Sequence, residues 1–290
     1  MKPKKSLGQN FLKDKAVLNK IIKAASLKVD DFVVEVGPGQ GVLTEELVKN
    51  VEKVLAIEVD RGLASKLKEK FRNSINLEVI NEDILRVNLP EIIKSNWELV
   101  NSNLEKEKTP NYQLPITNYK VIANIPYYIT SPIIQLFLET KYPPVEMILM
   151  VQKEVAERIC AGPGEMSILA VAVQYYAEAE LLFNVPRSAF WPIPEVDSAV
   201  IKITYLPSPA LSTGRPLPKG EVERERKKFF RIVRAGFSAR RKKLVNNLSS
   251  SLQVDKNVVE ETLKKVELDP KIRAQELSVE DWKKLAQLID

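Results

Sequence analysis

The stretch FVVEVGPGQGVLTEELV, residues 32–48, gives the clearest indication of architecture in this chain. Its first five residues are apolar apart from one glutamate, which is typical of a buried strand. A turn with three glycines follows, and the last seven residues have the apolar spacing of an amphipathic helix. A strand that leads through glycines into a helix is the opening unit of a nucleotide-binding α/β fold.

The alternation of strands and helices continues on both sides of this stretch. Apolar runs predict further strands at 53–58, 77–80, 119–123, 145–151, 180–185 and 198–205, with helices at 10–25, 63–71, 152–160 and 168–177. We expect one more helix to begin with Ser131 as N-cap and Pro132 as its first residue. This order predicts an α/β fold with a Rossmann-like parallel sheet and helices on both faces. Residues 86–118 show no clear period, so we expect a long surface excursion there.

A proline-rich segment separates this part of the chain from a second part. Residues 207–220 contain Pro207, Pro209, Pro216 and Pro218, a composition typical of a linker. The residues beyond it have helical periods at 221–235, 240–252, 258–266 and 279–288. We therefore predict an α/β domain at residues 1–206, a linker at 207–220 and a small all-helical domain at 221–290.

The composition excludes several classes of protein. No apolar run approaches the roughly 18 residues of a membrane span, and no apolar core follows the basic N-terminus as in a secretory signal. A single cysteine, Cys160, cannot form an internal disulfide and suits a reducing cytoplasm. The chain has no histidine, which removes catalysis by a histidine base and all histidine metal sites. We therefore expect a cytoplasmic enzyme that needs no metal, with a monomer as the default.

The positive charge of the chain is concentrated in one segment. The net charge is +6, yet residues 219–250 alone hold 11 Lys and Arg against 3 Glu, a net charge of +8. Such a segment is typical of a surface that faces a polyanion. The residues that we expect to contact RNA phosphates are Arg231, Arg234, Arg240, Arg241, Lys242 and Lys243. The alternative is a basic helix face that contacts only solvent.

Two acidic residues after the next two strands indicate what the glycine turn binds. Glu58 lies 21 residues after Gly37 and can accept hydrogen bonds from vicinal ribose hydroxyls. Asp83 lies 25 residues further and can accept one from an adenine amine. No Lys-Ser/Thr pair follows the glycines, so the turn is not a P-loop, and we favour S-adenosylmethionine over NAD or ATP. The alternative for both acids is a helix cap or a solvated turn.

The tetrapeptide Asn124-Ile125-Pro126-Tyr127 follows the predicted strand at 119–123. The carboxamide of Asn124 and the carbonyl of Ile125 can accept hydrogen bonds from both N–H groups of an adenine amine. These bonds free the lone pair of the amine nitrogen for methyl transfer. Pro126 stiffens the turn, and Tyr127 offers a flat face to a base. A proline-containing turn with a buried tyrosine explains the same residues, so this pattern alone leaves both interpretations open.

Together with further motifs, these residues make the chain resemble the bacterial small-subunit ribosomal RNA adenine dimethyltransferases of the KsgA type. The resemblance covers nearly the whole chain, and the match at 186–200 is the most specific. The motifs are Gly8-Gln9-Asn10-Phe11-Leu12, Glu35-Val36-Gly37-Pro38-Gly39, the segment from Asn124 to Pro132, the segment from Pro186 to Val200, and Phe237-Ser238-Ala239-Arg240-Arg241-Lys242.

The resemblance implies a class I methyltransferase whose cofactor is S-adenosyl-L-methionine. The residues that it assigns to the donor are Asn10, Leu12, Gly37, Gly39, Glu58, Asp83 and Asn124. The implied substrate is 16S rRNA within the small ribosomal subunit or its precursor. Two adjacent adenosines near its 3′ end would each receive two methyl groups, in a step coupled to ribosome biogenesis.

Phe190 lies in the most specific motif, and we predict that it contacts the target base. A base that is flipped out of its stack needs replacement faces, and Phe190 could lie opposite Tyr127. The alternative is that Phe190 packs the edge of the domain.

Two rival functions fit parts of the same pattern. A large-subunit rRNA adenine methyltransferase of the antibiotic-resistance type shares the Asn-x-Pro-Tyr turn but fits 186–200 and 237–242 less well. A non-catalytic ribosome-assembly or transcription factor on the same fold would not need the complete donor site.

Overall fold

The structure is a computed structural model that describes residues 3–4, 7–101, 119–206 and 219–289. For residues 97–101 and 219 only the backbone is described. Residues 102–118 of the expected excursion and 207–218 of the predicted linker lie outside the described residues.

The chain divides into two compact units. One is formed by Met1–Ala156 with Ala179–Tyr205, and the other by Glu157–Glu178 with Leu206–Asp290. The segment Glu157–Glu178 therefore groups with the helical unit, whereas the sequence analysis divides the chain at one linker. The predicted domain boundaries stay a prediction.

The first unit contains a seven-stranded sheet and a two-stranded ribbon. In chain order the strands are β1 (Phe11–Leu12), β2 (Phe32–Val36), β3 (Lys53–Ile57), β4 (Leu77–Ile80), β5 (Tyr119–Asn124), β6 (Glu146–Gln152), β7 (Ala177–Val185), β8 (Phe190–Trp191) and β9 (Ser198–Tyr205). The sheet order is β4-β3-β2-β5-β6-β9-β7, and β1 pairs with β8. Strands β2 to β6 pair with one another in parallel, whereas β9 is antiparallel to β6. The predicted α/β class with a Rossmann-like sheet is confirmed.

The helices of the described chain, apart from the one at Leu89–Asn101, follow the alternation that the sequence predicts. They are α1 (Lys15–Ala24), α2 (Val42–Asn50), α3 (Arg61–Lys70), α4 (Leu89–Asn101), α5 (Thr130–Glu139), α6 (Lys153–Ile159), α7 (Ile168–Gln174), α8 (Lys219–Gly236), α9 (Leu244–Leu252), α10 (Lys256–Lys265) and α11 (Val279–Leu288).

The direction of chain travel across the sheet reverses beside β2. From β2 the chain moves outward to β3 and β4, and it then returns to β5 on the other side of β2. Such a switch point leaves a crevice at the carboxyl ends of the strands, where ligands bind in open α/β sheets. Val36 and Ala123 are register partners, so Gly37 and Asn124 leave the sheet side by side.

Several segments differ from the sequence prediction, among them the helix expected at 240–252, which begins only at Leu244. The helix expected at 10–25 begins only at Lys15, because the Asp14 carboxylate caps it and Phe11–Leu12 pairs with Phe190–Trp191. The helix expected to start at Pro132 begins at Thr130, because a 3-10 turn at Tyr127–Ile129 runs directly into it. Ser131 is therefore not the N-cap.

The predicted surface excursion at 86–118 is wrong in its first half. Residues Leu89–Asn101 form α4, and Leu89 and Ile93 are fully buried. These two apolar residues are four positions apart and share one helix face, but the polar residues around them obscured the helical period in the sequence.

The second unit packs its helices around Trp282, whose side chain is fully buried. A Cβ built on Gly236, the last residue of α8, would lie 2.3 Å from the Trp282 ring, so the glycine permits this close approach. Helix α11 begins with a capping box, in which the side chains of Ser278 and Asp281 each accept a hydrogen bond from the other's backbone N–H.

Candidate active site

A cavity of about 360 Å³ lies at the carboxyl ends of the parallel strands, at the switch point between β2 and β5. It brings together ten of the residues that the sequence analysis assigns to the donor and to the reactive turn. They are Asn10, Leu12, Gly37, Gly39, Glu58, Asp83, Asn124, Ile125, Pro126 and Tyr127.

The glycine turn needs glycine for backbone reasons. Gly37 and Gly39 have φ values of +68° and +58°, in the left-handed region that other residues rarely adopt. A Cβ on Gly39 would also lie 3.2 Å from the Phe11 ring. The turn therefore brings its backbone close to the cavity, as a nucleotide-binding turn requires.

Glu58 is buried and its carboxylate is held by the backbone. Its Oε2 accepts a hydrogen bond from Gly39 N (3.0 Å) and its Oε1 accepts one from Asp60 N (2.8 Å). Burial raises the pKa of Glu58, although both hydrogen bonds favour the ionised form. Because an ionised carboxylate oxygen can accept more than one hydrogen bond, Glu58 retains acceptor capacity for ribose hydroxyls.

Asp83 lines the cavity but also serves its own turn. Its Oδ1 accepts a hydrogen bond from Leu85 N (3.0 Å), and its Oδ2 lies 3.8 Å from Arg86 Nε. The side chain is 35% exposed. The turn-forming role that the sequence analysis kept open is therefore present, and the adenine contact stays a prediction.

Glu35 is a cavity residue that the sequence analysis did not single out. It is the one polar residue of the buried strand β2, and Thr44 Oγ1 donates to its Oε2 at 2.7 Å. Burial, reinforced by the neighbouring Glu58 carboxylate and opposed by the Thr44 hydrogen bond, raises the pKa of Glu35 to about 8. A glutamate inside an otherwise apolar strand next to a glycine turn was the available signal.

Asp60 connects the N-terminal segment to the start of α3. Its Oδ2 lies 2.8 Å from Lys4 Nζ and 3.3 Å from Gln9 Nε2, while its Oδ1 caps α3. Burial opposes ionisation of Asp60, but the Lys4 ion pair and the backbone hydrogen bonds outweigh it and lower the pKa of Asp60. This contact depends on tertiary structure, so the sequence alone does not predict it.

The orientation of the Asn124 carboxamide is fixed by the N-terminal segment. Asn124 Nδ2 donates a hydrogen bond to the backbone oxygen of Asn10 at 3.1 Å. Because the amide nitrogen has this partner, Oδ1 is left to accept a hydrogen bond from a ligand. Ile125 N donates to Met150 O at 3.2 Å, which anchors the next residue of the turn to β6.

Tyr127 is half-buried, and its hydroxyl lies 2.8 Å from Ser198 Oγ. Burial raises the pKa of Tyr127, so the ring stays neutral and apolar at physiological pH. Because the hydroxyl is anchored and the residue lines the cavity, the ring is held in place there.

Phe190 is not brought into the cavity. Its side chain is fully buried in the core of the first unit, among residues such as Leu18, Ile21 and Val200. This placement matches the packing alternative of the sequence analysis, and contact of Phe190 with a target base stays a prediction. The next residue, Trp191, is 45% exposed.

The six predicted RNA-binding residues lie in the second unit and are all exposed. Arg231 and Arg234 are on α8, and the other four, residues 240–243, form the turn between α8 and α9. Within the described chain, no group of three or more Cys, Asp or Glu side chains is placed to hold a metal ion. No described helix is both long enough and apolar enough to span a membrane.

Comparison with known proteins agrees with this geometry. The sequence profile of the family "Ribosomal RNA adenine dimethylase" matches residues 1–290. The chain belongs to this family. It is 43% identical over 285 residues to the ribosomal RNA small subunit methyltransferase A of Dehalococcoides mccartyi strain BAV1, covering 98% of this chain and 88% of that protein.

Solved structures of rRNA adenine dimethylase-like enzymes share the fold. A dimethyladenosine transferase from Plasmodium falciparum is 26% identical, with a TM-score of 0.71 and 95% of each chain covered. The 23S rRNA methyltransferase ErmE is also 26% identical, with a TM-score of 0.68 over 96% of this chain and 98% of that one. The predicted membership of a class I rRNA methyltransferase family is confirmed, and the chain is an enzyme of this family.

Proposed function

We propose that this chain transfers methyl groups from S-adenosylmethionine to the exocyclic amines of two adjacent adenosines near the 3′ end of 16S rRNA, in the small subunit or its precursor. The observation that carries this proposal is the hydrogen bond from Asn124 Nδ2 to Asn10 O. It leaves Oδ1 as an acceptor beside the Ile125 carbonyl. Two acceptors at this point can accept hydrogen bonds from both N–H groups of an adenine amine and direct its lone pair toward the donor.

The residues around the cavity fit S-adenosylmethionine, whose sulfonium carries an already activated methyl group. Glu58 suits the ribose, and the glycine turn lets the backbone approach a nucleoside closely. Asn124 positions the amine and does not act as a base, because a carboxamide cannot hold the proton. The small-subunit substrate is supported by relatives of 43% identity named small-subunit methyltransferases, whereas the large-subunit enzyme ErmE is 26% identical.

The direct test is transfer of labelled methyl groups from S-adenosylmethionine into unmethylated small subunits, with mapping of the modified nucleotides. We expect Asn124→Ala to lower turnover by about 10²-fold or more while donor affinity stays within a few-fold, the scale for losing one positioned polar group in a transition state.

Asn76→Ala is the matched control for this variant. Asn76 Nδ2 also donates to backbone carbonyls, those of Val48 and Val51, but Asn76 does not line the cavity. Its loss should lower stability and leave turnover nearly unchanged. Normal turnover in Asn124→Ala, or modification of large subunits alone, would refute the proposed function.

A further inference from the structure

Two exposed aromatic rings lie beside the N-terminal segment whose residue Asn10 accepts a hydrogen bond from Asn124. The Tyr128 ring packs on Gly8, where a built Cβ would lie 3.4 Å from Tyr128 Cδ1, and the side chain is 60% exposed. Trp191 pairs with Phe11 in the β1–β8 ribbon and is 45% exposed. Asn10, whose carbonyl holds Asn124, lies between these two attachment points.

The two rings are close enough to act on one short stretch of nucleic acid. Gly8 and Phe11 are three residues apart, so at most about 10 Å of chain separates the points where the rings attach. If a base is bound beside Asn124, the nucleotides next to it in the RNA would lie within this distance. The pleat explains why Trp191 is accessible while Phe190 is buried, because consecutive residues of a strand point to opposite faces.

Two exposed cations lie close to the β1–β8 ribbon. Lys13 and Arg187 are exposed, and Lys13 N donates to Ala189 O at 2.8 Å, which places Lys13 beside the residue that precedes β8. The segment between β8 and β9 also carries two exposed acids, Glu195 and Asp197, and Asp197 Oδ1 accepts a hydrogen bond from Arg187 N at 2.9 Å. Flat apolar faces with cations beside them are the surface that single-stranded nucleic acid binds.

We propose that Trp191 and Tyr128 form a stacking platform for the unpaired nucleotides next to the target adenine. This inference rests on the proposed function, because it assumes that rRNA approaches the Asn124 turn. Flipping one adenine out of its stack leaves its neighbours without a partner face. The exposed rings supply such faces, that of Tyr128 at the cavity, which it helps to line, and that of Trp191 outside the lining, while the target adenine itself enters the cavity.

The first test measures methylation of unmethylated small subunits by Trp191→Leu, Trp191→Phe and Tyr128→Leu. Loss of one base–aromatic stack should raise KM for the subunits by about 5- to 150-fold, with little change in kcat or in donor affinity. Trp191→Phe should recover much of the loss, since it keeps a flat ring. A purely structural role for Trp191 would affect kcat, KM and thermal stability together.

The control is Ile75→Ala. Ile75 is fully exposed and precedes β4. It therefore lies at the amino ends of the parallel strands, whereas the cavity lies at their carboxyl ends. Removing this exposed apolar side chain should leave KM unchanged, so a general effect of surface hydrophobicity would show in both variants.

A second readout needs no methyl transfer. Single-stranded oligoadenylate should quench part of the tryptophan emission of the intact protein, and the quenching should disappear in Trp191→Phe. If Trp191→Leu keeps its KM and the quenching persists in Trp191→Phe, the platform is wrong. If the unmodified protein fails to methylate small subunits, the proposed function is wrong, and the quenching still decides whether Trp191 stacks on bases.

Discussion

Glu58 has each of its two carboxylate oxygens fixed by a different backbone N–H, one from the glycine turn and one from Asp60. This arrangement sets the direction in which the remaining lone pairs point. A carboxylate fixed in this way can accept hydrogen bonds from a ribose with little further loss of side-chain freedom. Glu58 should therefore determine donor affinity more strongly than Asp83, which is 35% exposed and can exchange ligand for water.

We expect Glu58→Ala to weaken binding of S-adenosylmethionine by about 10- to 100-fold, because a hydrogen bond to a charged group contributes roughly 1.5–3 kcal/mol. Asp83→Ala should have a smaller effect. Calorimetric titration measures both. The control is Glu78→Ala, since Glu78 is an acidic residue on β4 that does not line the cavity. Unchanged affinity in both Glu58→Ala and Asp83→Ala would reject the donor site.

Glu35 makes the stability of the first unit depend on pH. Its pKa is raised from an ordinary value of 4.5 to about 8, first because it is buried. Between these two values the unfolded chain has lost the proton and the folded chain still holds it. Stability therefore falls as the pH rises through this window, by at most about 1.4 kcal/mol per pH unit, and levels off above the folded pKa.

We expect Glu35→Gln to make this decline shallower, because glutamine cannot ionise, while the contribution of Glu58, whose pKa is also raised by burial, should remain. Urea unfolding at several pH values between those two pKa values measures the slope for the unmodified protein and for the variant. Glu78→Gln, which changes a half-buried glutamate of the same sheet, should keep the slope of the unmodified protein. Equal slopes in the Glu35→Gln and unmodified proteins would show that Glu35 is ionised in the folded state.

At the scale of elements, the sequence predicted those parts whose signal is local. The strands of the sheet are short apolar runs, so β2, β4 and β9 have the bounds that we expected. The β1–β8 ribbon was missed because each strand has two residues and exists only through its partner. The position of Phe190 was open for the same reason, since burial of one ring in a loop depends on what the fold places around it.

The site follows the same division between local and tertiary signals. The glycine turn and the acids at strand ends could be predicted because parallel strands place their carboxyl ends at one edge. The Asn10–Asn124 hydrogen bond joins residues 114 apart, and the Asp60 contacts with Lys4 and Gln9 are equally nonlocal. No pattern in the sequence reports such contacts.

The turn between α8 and α9 is held in shape by a buried side chain of α9. Asn247 is 2% exposed, and its Nδ2 donates to the backbone oxygens of Gly236 and Ala239. These residues precede Arg240–Lys243, the predicted RNA-binding turn. Asn247→Leu should therefore lower the free energy of unfolding by about 1–3 kcal/mol and also weaken RNA binding.

Thr262→Val separates these two effects. Thr262 is a buried polar residue of α10 whose hydroxyl donates to Val258 O, remote in sequence from the basic turn. This variant should lose stability while its RNA affinity, measured by filter binding well below the unfolding temperature, stays unchanged. Equal weakening of RNA binding in both variants would assign the effect of Asn247 to stability alone.

For the whole molecule, the distribution of charge separates two tasks. The cavity and the residues predicted to bind the donor lie in the first unit, whereas the segment with a net charge of +8, residues 219–250, lies entirely in the second. If the basic segment binds RNA, donor affinity and RNA affinity should respond to different variants and to salt in different ways. S-adenosylmethionine binding should change little with ionic strength, while RNA binding should weaken as counterions compete for phosphates.

Replacing Arg240, Arg241, Lys242 and Lys243 by glutamine tests this division. We expect the slope of log affinity for rRNA against log salt concentration to become shallower by about 0.7–0.9 for each phosphate contact that is lost. A control with the same change in charge replaces four exposed lysines of the same unit, Lys256, Lys264, Lys265 and Lys271. That variant should keep the slope of the unmodified protein, because net charge alone does not create a phosphate contact. Calorimetry should give the same donor affinity for all three proteins. If both variants change the slope equally, RNA is attracted by the overall charge of the unit, and the turn between α8 and α9 is not its binding site.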